Sequence, residues 1–139
     1  MDREQDLAAL FSKVTRRLID AETPILQSHD VSMWEYSVLY RLARREAETQ
    51  AALAHAIGYD KTRLIRVLDS LQERGLIERQ RGPADRRAHL VRLTKAGSTR
   101  FTAVQADIRK MEKRVLQDLG TTDDARALVA GLHRLAGAV

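Results

Sequence analysis

The 139-residue sequence contains no cysteine, only two prolines and seven glycines, and no long hydrophobic run. Without thiols the chain can form no disulfide, no thiolate zinc site, no iron–sulfur cluster and no cysteine-based redox sensor. The scarcity of proline and glycine excludes a low-complexity linker. No stretch approaches the roughly 18 consecutive apolar residues of a membrane helix, and the charged start MDREQDL lacks the apolar core of a secretion signal. We therefore expect a cytoplasmic protein with no membrane partner.

The composition is typical of one globular domain, with 44% hydrophobic and 31% charged residues. Lys and Arg number 24 against 19 Asp and Glu, a net charge of +5. The stretch 60–95 holds ten basic and five acidic residues, which leaves 14 of each sign elsewhere. A positive excess confined to one segment is typical of a nucleic-acid-binding surface, although a solvated basic surface would have the same composition.

Apolar spacing and capping residues predict two helices in the first third of the chain. A helical stripe covers residues 4 to about 29, and Pro24 should kink or break it near residues 20–24, because proline removes a backbone donor. Ser32 and Glu35 have the spacing of a capping box. They predict a second helix from Met33 to about Arg45.

Further caps and turns predict the remaining elements. The third helix runs from its cap Thr49 to Ile57, and the fourth runs from Lys61 to Arg74 and is capped by Asp60. Two strands follow, Leu76–Arg79 and Ala88–Leu93, joined by a loop. A long helix then begins after Thr94 and ends at Gly120, and Thr121 or Thr122 caps the last helix. The expected fold is mainly α with a small β-hairpin.

Residues 50–67 have the spacing of a helix-turn-helix, in which Gly58 supplies the turn. The second helix would present Lys61, Thr62, Arg63 and Arg66 on its outer face. These side chains supply the donors that a helix needs for the bases and phosphates of a major groove. The same tri-helical spacing also occurs in domains that bind other proteins, so the motif alone leaves both partners open.

The hairpin is rich in arginine, with Arg79 at the end of its first strand and Arg81, Arg86 and Arg87 in its loop. Such a hairpin beside a recognition helix can act as a wing that reaches the minor groove, where the negative potential is concentrated. Asp85 lies two residues before Arg87 and could hold its guanidinium in one orientation through a bidentate pair. The alternative is a solvated arginine-rich turn.

Residues 85–97, DRRAHLVRLTKAG, resemble the wing signature of the MarR family of bacterial regulators, an Asp-x-Arg followed by a strand and Leu-Thr-x-x-Gly. The run Arg74–Ile77, Arg79, the helix start at Ser32 and the whole helix order are also similar, so the resemblance covers nearly the full chain. It implies a winged helix-turn-helix in each subunit of a homodimer whose terminal helices intertwine. The family's cysteine-sensing members are no match, since this chain has no thiol.

The resemblance also implies a domain plan and a DNA site. Residues 1–139 would form one MarR-like domain, with a DNA-binding lobe at 32–95 and dimerisation helices at 1–30 and 96–139. Arg87 would enter the minor groove, oriented by Asp85, and the fourth helix would face the major groove. The complete predicted DNA-binding set is Lys61, Thr62, Arg63, Arg66, Arg81, Asp85, Arg86 and Arg87.

Apolar stripes on the terminal helices support the homodimer independently, because a compact winged helix could not cover them. Two-fold symmetry would then make the operator a pseudo-palindrome. The alternative is a monomer in which the terminal helices pack on their own domain.

Three aromatic residues, Trp34, Tyr36 and Tyr40, cluster at the second helix. MarR-like proteins often bind small aromatic or anionic compounds, and these rings could line such a pocket. Trp34 and Tyr36 are two residues apart and point to different sides of a helix, which favours core and surface aromatics instead. The four histidines show no ligand spacing, so we expect no metal and no cofactor.

The sequence therefore predicts a sequence-specific regulator of transcription that binds double-stranded DNA, a repressor released by a small ligand, in the bacterial cytoplasm at the nucleoid. A winged-helix module that binds only protein is the alternative. An enzyme that uses the basic hairpin for an anionic substrate is disfavoured, because no general base is paired with a nucleophile.

Overall fold

The computed structural model describes residues 6–82 and 89–137. Within these ranges the chain forms six α-helices, a short 3-10 turn and one small sheet. The elements in order are α1 (Leu7–Ser28), α2 (Met33–Leu42), β1 (Glu48–Thr49), α3 (Gln50–Ile57), α4 (Lys61–Glu73), β2 (Ile77–Arg81), β3 (His89–Leu93), α5 (Lys95–Leu116), the 3-10 turn (Gln117–Leu119) and α6 (Thr122–Ala136). The predicted mainly helical fold with a small β wing is confirmed.

Local capping chemistry sets most of the helix starts. The Ser32 hydroxyl accepts from the Glu35 backbone N–H at 3.1 Å, and the Glu35 carboxylate accepts from the Ser32 N–H at 2.9 Å, which completes the predicted capping box. The side chains of Thr49, Asp60 and Thr121 cap α3, α4 and α6 by accepting from the backbone N–H three residues later. These starts agree with the sequence because a cap depends on residues only three positions apart.

Two helices differ from the expectation. The break expected in α1 near residues 20–24 does not occur, and the helix runs from Leu7 to Ser28 with Pro24 inside it. Proline removes only one backbone hydrogen bond there, and Leu26, just beyond, is buried. Helix α2 ends at Leu42 rather than near Arg45, because the chain leaves the helix to reach β1.

The sheet has the order β1-β3-β2, and both pairings are antiparallel. Strands β2 and β3 are paired from Ile77↔Leu93 to Arg81↔His89, so the hairpin stem extends two residues beyond the predicted Arg79. Strand β1 was not predicted, and its two residues pair with Leu90 and Val91, some forty positions away.

Two compact units divide the chain. One is Thr23–Ala106, and the other combines Met1–Glu22 with Asp107–Val139. The first contains the sheet, α2, α3 and α4 around a core in which ten large side chains have less than 2% exposure. They are Leu39, Leu42, Leu53, Leu64, Leu68, Leu71, Ile77, Val38, Val91 and Val104.

The second unit has little core of its own. Among its described residues only Ile108 and Met111 are buried. Large apolar side chains of α1 and α6 are instead exposed, namely Leu7, Leu10, Phe11, Val14, Leu128, Val129, Leu132 and Leu135. An open groove of about 400 Å³ lies between Phe11 and the α6 side chains Leu128, Leu132 and Leu135. This unit therefore presents the unpaired apolar stripes that the sequence predicts.

None of the helices in residues 6–82 and 89–137 is long and apolar enough to cross a membrane.

Candidate nucleic-acid interface

Helix α4 is held by one face only. Leu64, Leu68 and Leu71, spaced at helical intervals, have 1%, 0% and 0% exposure and pack into the core. Gly58 adopts φ 68° at the end of α3, and Asp60 then caps α4 by accepting from the Arg63 N–H at 3.0 Å. The turn and the cap together leave the opposite face of α4 in solvent.

The exposed face of α4 holds the predicted major-groove residues. Lys61, Thr62, Arg63 and Arg66 are all exposed. Within residues 6–82 and 89–137, no carboxylate pairs with Lys61, Arg63 or Arg66. Six other described arginines between Thr23 and Ala106 are paired with a carboxylate or a carbonyl oxygen, namely Arg41, Arg45, Arg74, Arg79, Arg92 and Arg100. The charges on α4 are therefore available to an external anion.

Ile65 lies among these cations and is 45% exposed. Ile65 was not among the predicted site residues. The sequence signal that could have identified it as exposed is its position outside the buried stripe of Leu64, Leu68 and Leu71.

The base of the wing is only partly available for DNA. Arg81 ends β2 and is exposed, with no carboxylate partner among the residues described. Arg79 instead donates to Asp69 Oδ1 at 2.6 Å and to Gln72 Oε1 at 2.5 Å, so it joins β2 to α4. The predicted residues Asp85, Arg86 and Arg87 lie outside the described residues, and their roles stay predictions.

A second ion pair fixes β1 against α2. The Arg41 guanidinium donates to both carboxylate oxygens of Glu48, at 2.9 and 2.7 Å, and Arg45 Nε lies 3.8 Å from the same group. Glu48 is buried, and the hydrogen bonds from Arg41 lower the pKa of its carboxyl group below the usual value despite that burial. The charged pair anchors β1. Strand β1 in turn pairs with β3, the second strand of the wing.

Arg74 joins the ends of three helices. Its Nη1 donates to the Glu35 carboxylate at 2.8 Å, and its Nη2 donates to the Asp30 carbonyl oxygen at 2.7 Å. Asp30 has φ 54° just after α1, a conformation uncommon for a residue other than glycine. The end of α1, the start of α2 and the end of α4 are therefore held by one guanidinium.

The aromatic residues separate into two groups, as their spacing predicts. Trp34 stacks on Tyr59 with ring centroids 3.9 Å apart. Tyr36 and Tyr40 both contact Phe101, at 5.7 and 6.1 Å between centroids, and the Arg44 guanidinium lies 5.0 Å from the Tyr40 centroid. Trp34 is thus placed apart from the other two residues of the predicted pocket.

No group of three or more His, Asp or Glu side chains suited to a metal ion occurs in the part of the chain that the structure describes.

Residues 31–89 match the model of the MarR family. This match covers α2 to the first residue of β3, the segment that contains the helix-turn-helix and the first wing strand, β2. The resemblance to the MarR family is thereby confirmed.

Solved structures of MarR and of a transcriptional repressor have the same fold. A crystal structure of MarR has a TM-score of 0.88 and 26% identity, over 99% of this chain and 92% of that chain. The transcriptional repressor CouR, bound to a 23-mer DNA duplex, has a TM-score of 0.81 and 24% identity, over 94% of this chain and 92% of that one. CouR from Rhodococcus jostii RHA1 bound to p-coumaroyl-CoA has a TM-score of 0.78 and 22% identity, over 95% and 92%.

Proposed function

We propose that this protein is a sequence-specific regulator of transcription that binds double-stranded DNA as a homodimer. The observation that carries the proposal is the outer face of α4, where Lys61, Arg63 and Arg66 are exposed and lack carboxylate partners among the described residues. Similarity to a repressor bound to a DNA duplex supports the same partner. The proposed activity is binding, and it includes no catalytic step.

The dimensions of α4 suit a major groove. An α-helix with its side chains is about 10–12 Å wide, and the groove is about 12 Å wide. Lys61 and Arg63 at the start of α4 would contact phosphates and orient the helix, while Thr62 and Arg66 would contact base edges. Arg81, Arg86 and Arg87, with Asp85 orienting Arg87, would extend the interface into the adjacent minor groove.

The homodimer is supported by the apolar side chains of α1 and α6. Leu7 and Leu135 are 73% and 72% exposed, and Val14 is 51% exposed. Apolar stripes on two helices of a unit with only two buried described residues are typical of a surface that a partner covers. A two-fold dimer would place two copies of α4 on successive turns of one DNA face.

We propose that a small aromatic or anionic ligand releases the protein from DNA. The Tyr36, Tyr40 and Phe101 rings and the Arg44 guanidinium offer stacking surfaces and a positive charge for such a compound. A ligand that prefers a dimer with altered lobe spacing would lower DNA affinity by shifting the population. Titration with aromatic carboxylates and aromatic acyl-CoA esters, followed by tryptophan fluorescence and operator release, tests this control.

The experiment that tests DNA binding is selection of bound sequences from random duplexes by the purified protein. We expect an enriched pseudo-palindrome whose half-sites are about 34–36 Å apart. Affinity for it should fall steeply with salt, because each phosphate contact releases counterions. No enrichment together with a log–log salt slope near zero would favour the protein-binding module instead.

Single substitutions then assign the contacts. Arg87→Ala should weaken operator binding by about 1–3 kcal/mol, the scale of a lost groove contact. Arg66→Ala should reduce the preference for operator over random DNA. If Arg66→Ala weakens binding to operator and to random DNA by the same factor, Arg66 contacts phosphates only. Arg114→Ala on α5 is the matched control, since it removes the same exposed charge outside the proposed interface.

A further inference from the structure

The apolar side chains of α4 separate into a packed group and one exception. Leu64, Leu68 and Leu71 are fully buried and Val67 is half-buried. Ile65 is 45% exposed and is the one apolar side chain of this helix that solvent reaches freely. A single exposed apolar residue is ordinary on most surfaces. Ile65 is of interest because it lies on α4 next to the exposed cations of the proposed DNA site.

Helical spacing places Ile65 inside the cationic face. Lys61 lies one turn before it and Thr62 lies three residues before it, so both are its neighbours on the helix surface, and Arg66 is the next residue around the helix. One turn after it lies Asp69, which is paired with Arg79 of β2 at 2.6 Å. Ile65 therefore lies between the cations at the start of α4 and the strand that leads into the wing.

An apolar group at this position is selective in a major groove. The exposed edges of guanine, adenine and cytosine present hydrogen-bond donors and acceptors, and covering them with a branched alkyl group would leave them unpaired. Thymine presents a C5-methyl group, the one methyl group on the major-groove edge of an unmodified base, where cytosine carries only a C5–H. Contact between two methyl-bearing groups removes apolar area from water without leaving a polar group unsatisfied.

We propose that Ile65 is a specificity-determining residue that contacts the C5-methyl group of a thymine in each operator half-site. The inference rests on the proposed function and adds one base identity to it. Lys61 and Arg63 anchor α4 on phosphates, and Arg66 contacts a base edge. Ile65 adds a requirement for thymine at the base that it covers.

The test uses DNA that differs by one methyl group. Each thymine of the selected operator is replaced in turn by deoxyuridine, which keeps every hydrogen-bonding group and lacks only the C5-methyl. Binding of wild type is measured by fluorescence anisotropy. At one symmetry-related thymine per half-site we expect a loss of about three- to fivefold per methyl group, the fold-change that corresponds to burial of one such group.

The Ile65→Ala variant completes a double-mutant cycle, in which one change is made in the protein and the other in the DNA. It should bind the thymine and deoxyuridine operators equally at that position, because the side chain that contacts the methyl is gone. Arg63→Ala is the matched control on the same helix. It should bind both operators more weakly but retain the wild-type ratio between them. Thermal denaturation of both variants verifies that the fold is kept, as expected for exposed positions.

The outcomes separate the two proposals. If wild type selects an operator but deoxyuridine has no effect at any position, or if Ile65→Ala keeps the wild-type discrimination, the thymine contact is wrong and the regulator proposal stands. If wild type selects no sequence from the random duplexes, the proposed function fails and the contact fails with it.

Discussion

At the scale of single residues, the arginines of this protein divide by whether a carboxylate holds them. Arg41, Arg74 and Arg79 are paired at 2.6–2.8 Å and serve the fold. Arg63 and Arg66 have no such partner among the described residues and stay available for DNA. The amino-acid type alone cannot make this distinction, because each partner comes from another element. The sequence therefore placed Arg79 in the wing surface, whereas the structure uses it to join β2 to α4.

The buried carboxylate of Glu48 leads to a prediction about pH. Glu48→Gln should lower the free energy of unfolding by about 1–3 kcal/mol at pH 7, since it removes the charge that both Arg41 hydrogen bonds require. The lowered pKa means that this stabilisation is complete above the usual glutamate pKa, about 4.3, and is lost as the pH falls through the lowered value. Urea denaturation of wild type and Glu48→Gln at several pH values from 7 to 3 measures this difference in the free energy of unfolding.

The matched control is Glu46→Gln, an exposed glutamate two residues earlier that forms no ion pair with any described residue. It should change stability by less than about 0.5 kcal/mol. A difference between wild type and Glu48→Gln that stays constant down to pH 3 would contradict the lowered pKa.

At the scale of elements, the Leu-Thr-x-x-Gly signature has a direct structural explanation. The Thr94 hydroxyl caps α5 by accepting from the Gly97 N–H at 3.0 Å and donates to the Gly75 carbonyl oxygen at 2.6 Å. Gly97 is buried, and a Cβ there would lie 1.9 Å from the Leu76 carbonyl oxygen. The start of α5 thus packs directly against the backbone that enters β2, and only glycine leaves the space for that contact.

Gly97→Ala should therefore be strongly destabilising, by about 3 kcal/mol or more, because the atom that a methyl group meets is backbone and cannot rotate away. Gly131→Ala in α6 is the matched control. The nearest atom to its added Cβ is the end of the Arg134 side chain at 3.9 Å, so better helix propensity should leave stability unchanged or raise it by up to about 1 kcal/mol. Thermal denaturation decides, and similar melting temperatures for the two variants would refute the close packing.

The sequence predicted the elements well where the determinants are local. Helix starts at Met33, Gln50, Lys61 and Lys95 follow from caps within four residues. It failed where the determinants are distant. Strand β1 is two residues long and exists only because β3 is available to pair with it. In the candidate site, helical periodicity identified the exposed cations of α4, but the ion pairs that withdraw Arg79 from the surface could not be read from spacing.

At the scale of the whole molecule, the unpaired apolar stripes and the proposed DNA site are linked by symmetry. One protomer offers one copy of α4, which fits one half-site. Two protomers held through α1 and α6 would offer two, and binding of the second would be effectively intramolecular. The wild-type protein should accordingly have a solution mass about twice the 15.7 kDa of the chain by light scattering.

Leu132→Glu tests this link, because it places a charge on an exposed apolar position of α6 that lines the groove beside Phe11. We expect a monomer whose affinity for the full pseudo-palindrome falls by roughly 10²-fold or more, while affinity for a duplex with a single half-site hardly changes. Met33→Glu is the matched control, since Met33 is similarly exposed, at 45%, but lies at the start of α2. It should remain dimeric. If the wild-type protein is a monomer and binds the full pseudo-palindrome no more tightly than a single half-site, the stripes serve another partner. The loss of affinity in Leu132→Glu is expected only if α6 pairs two copies of the chain.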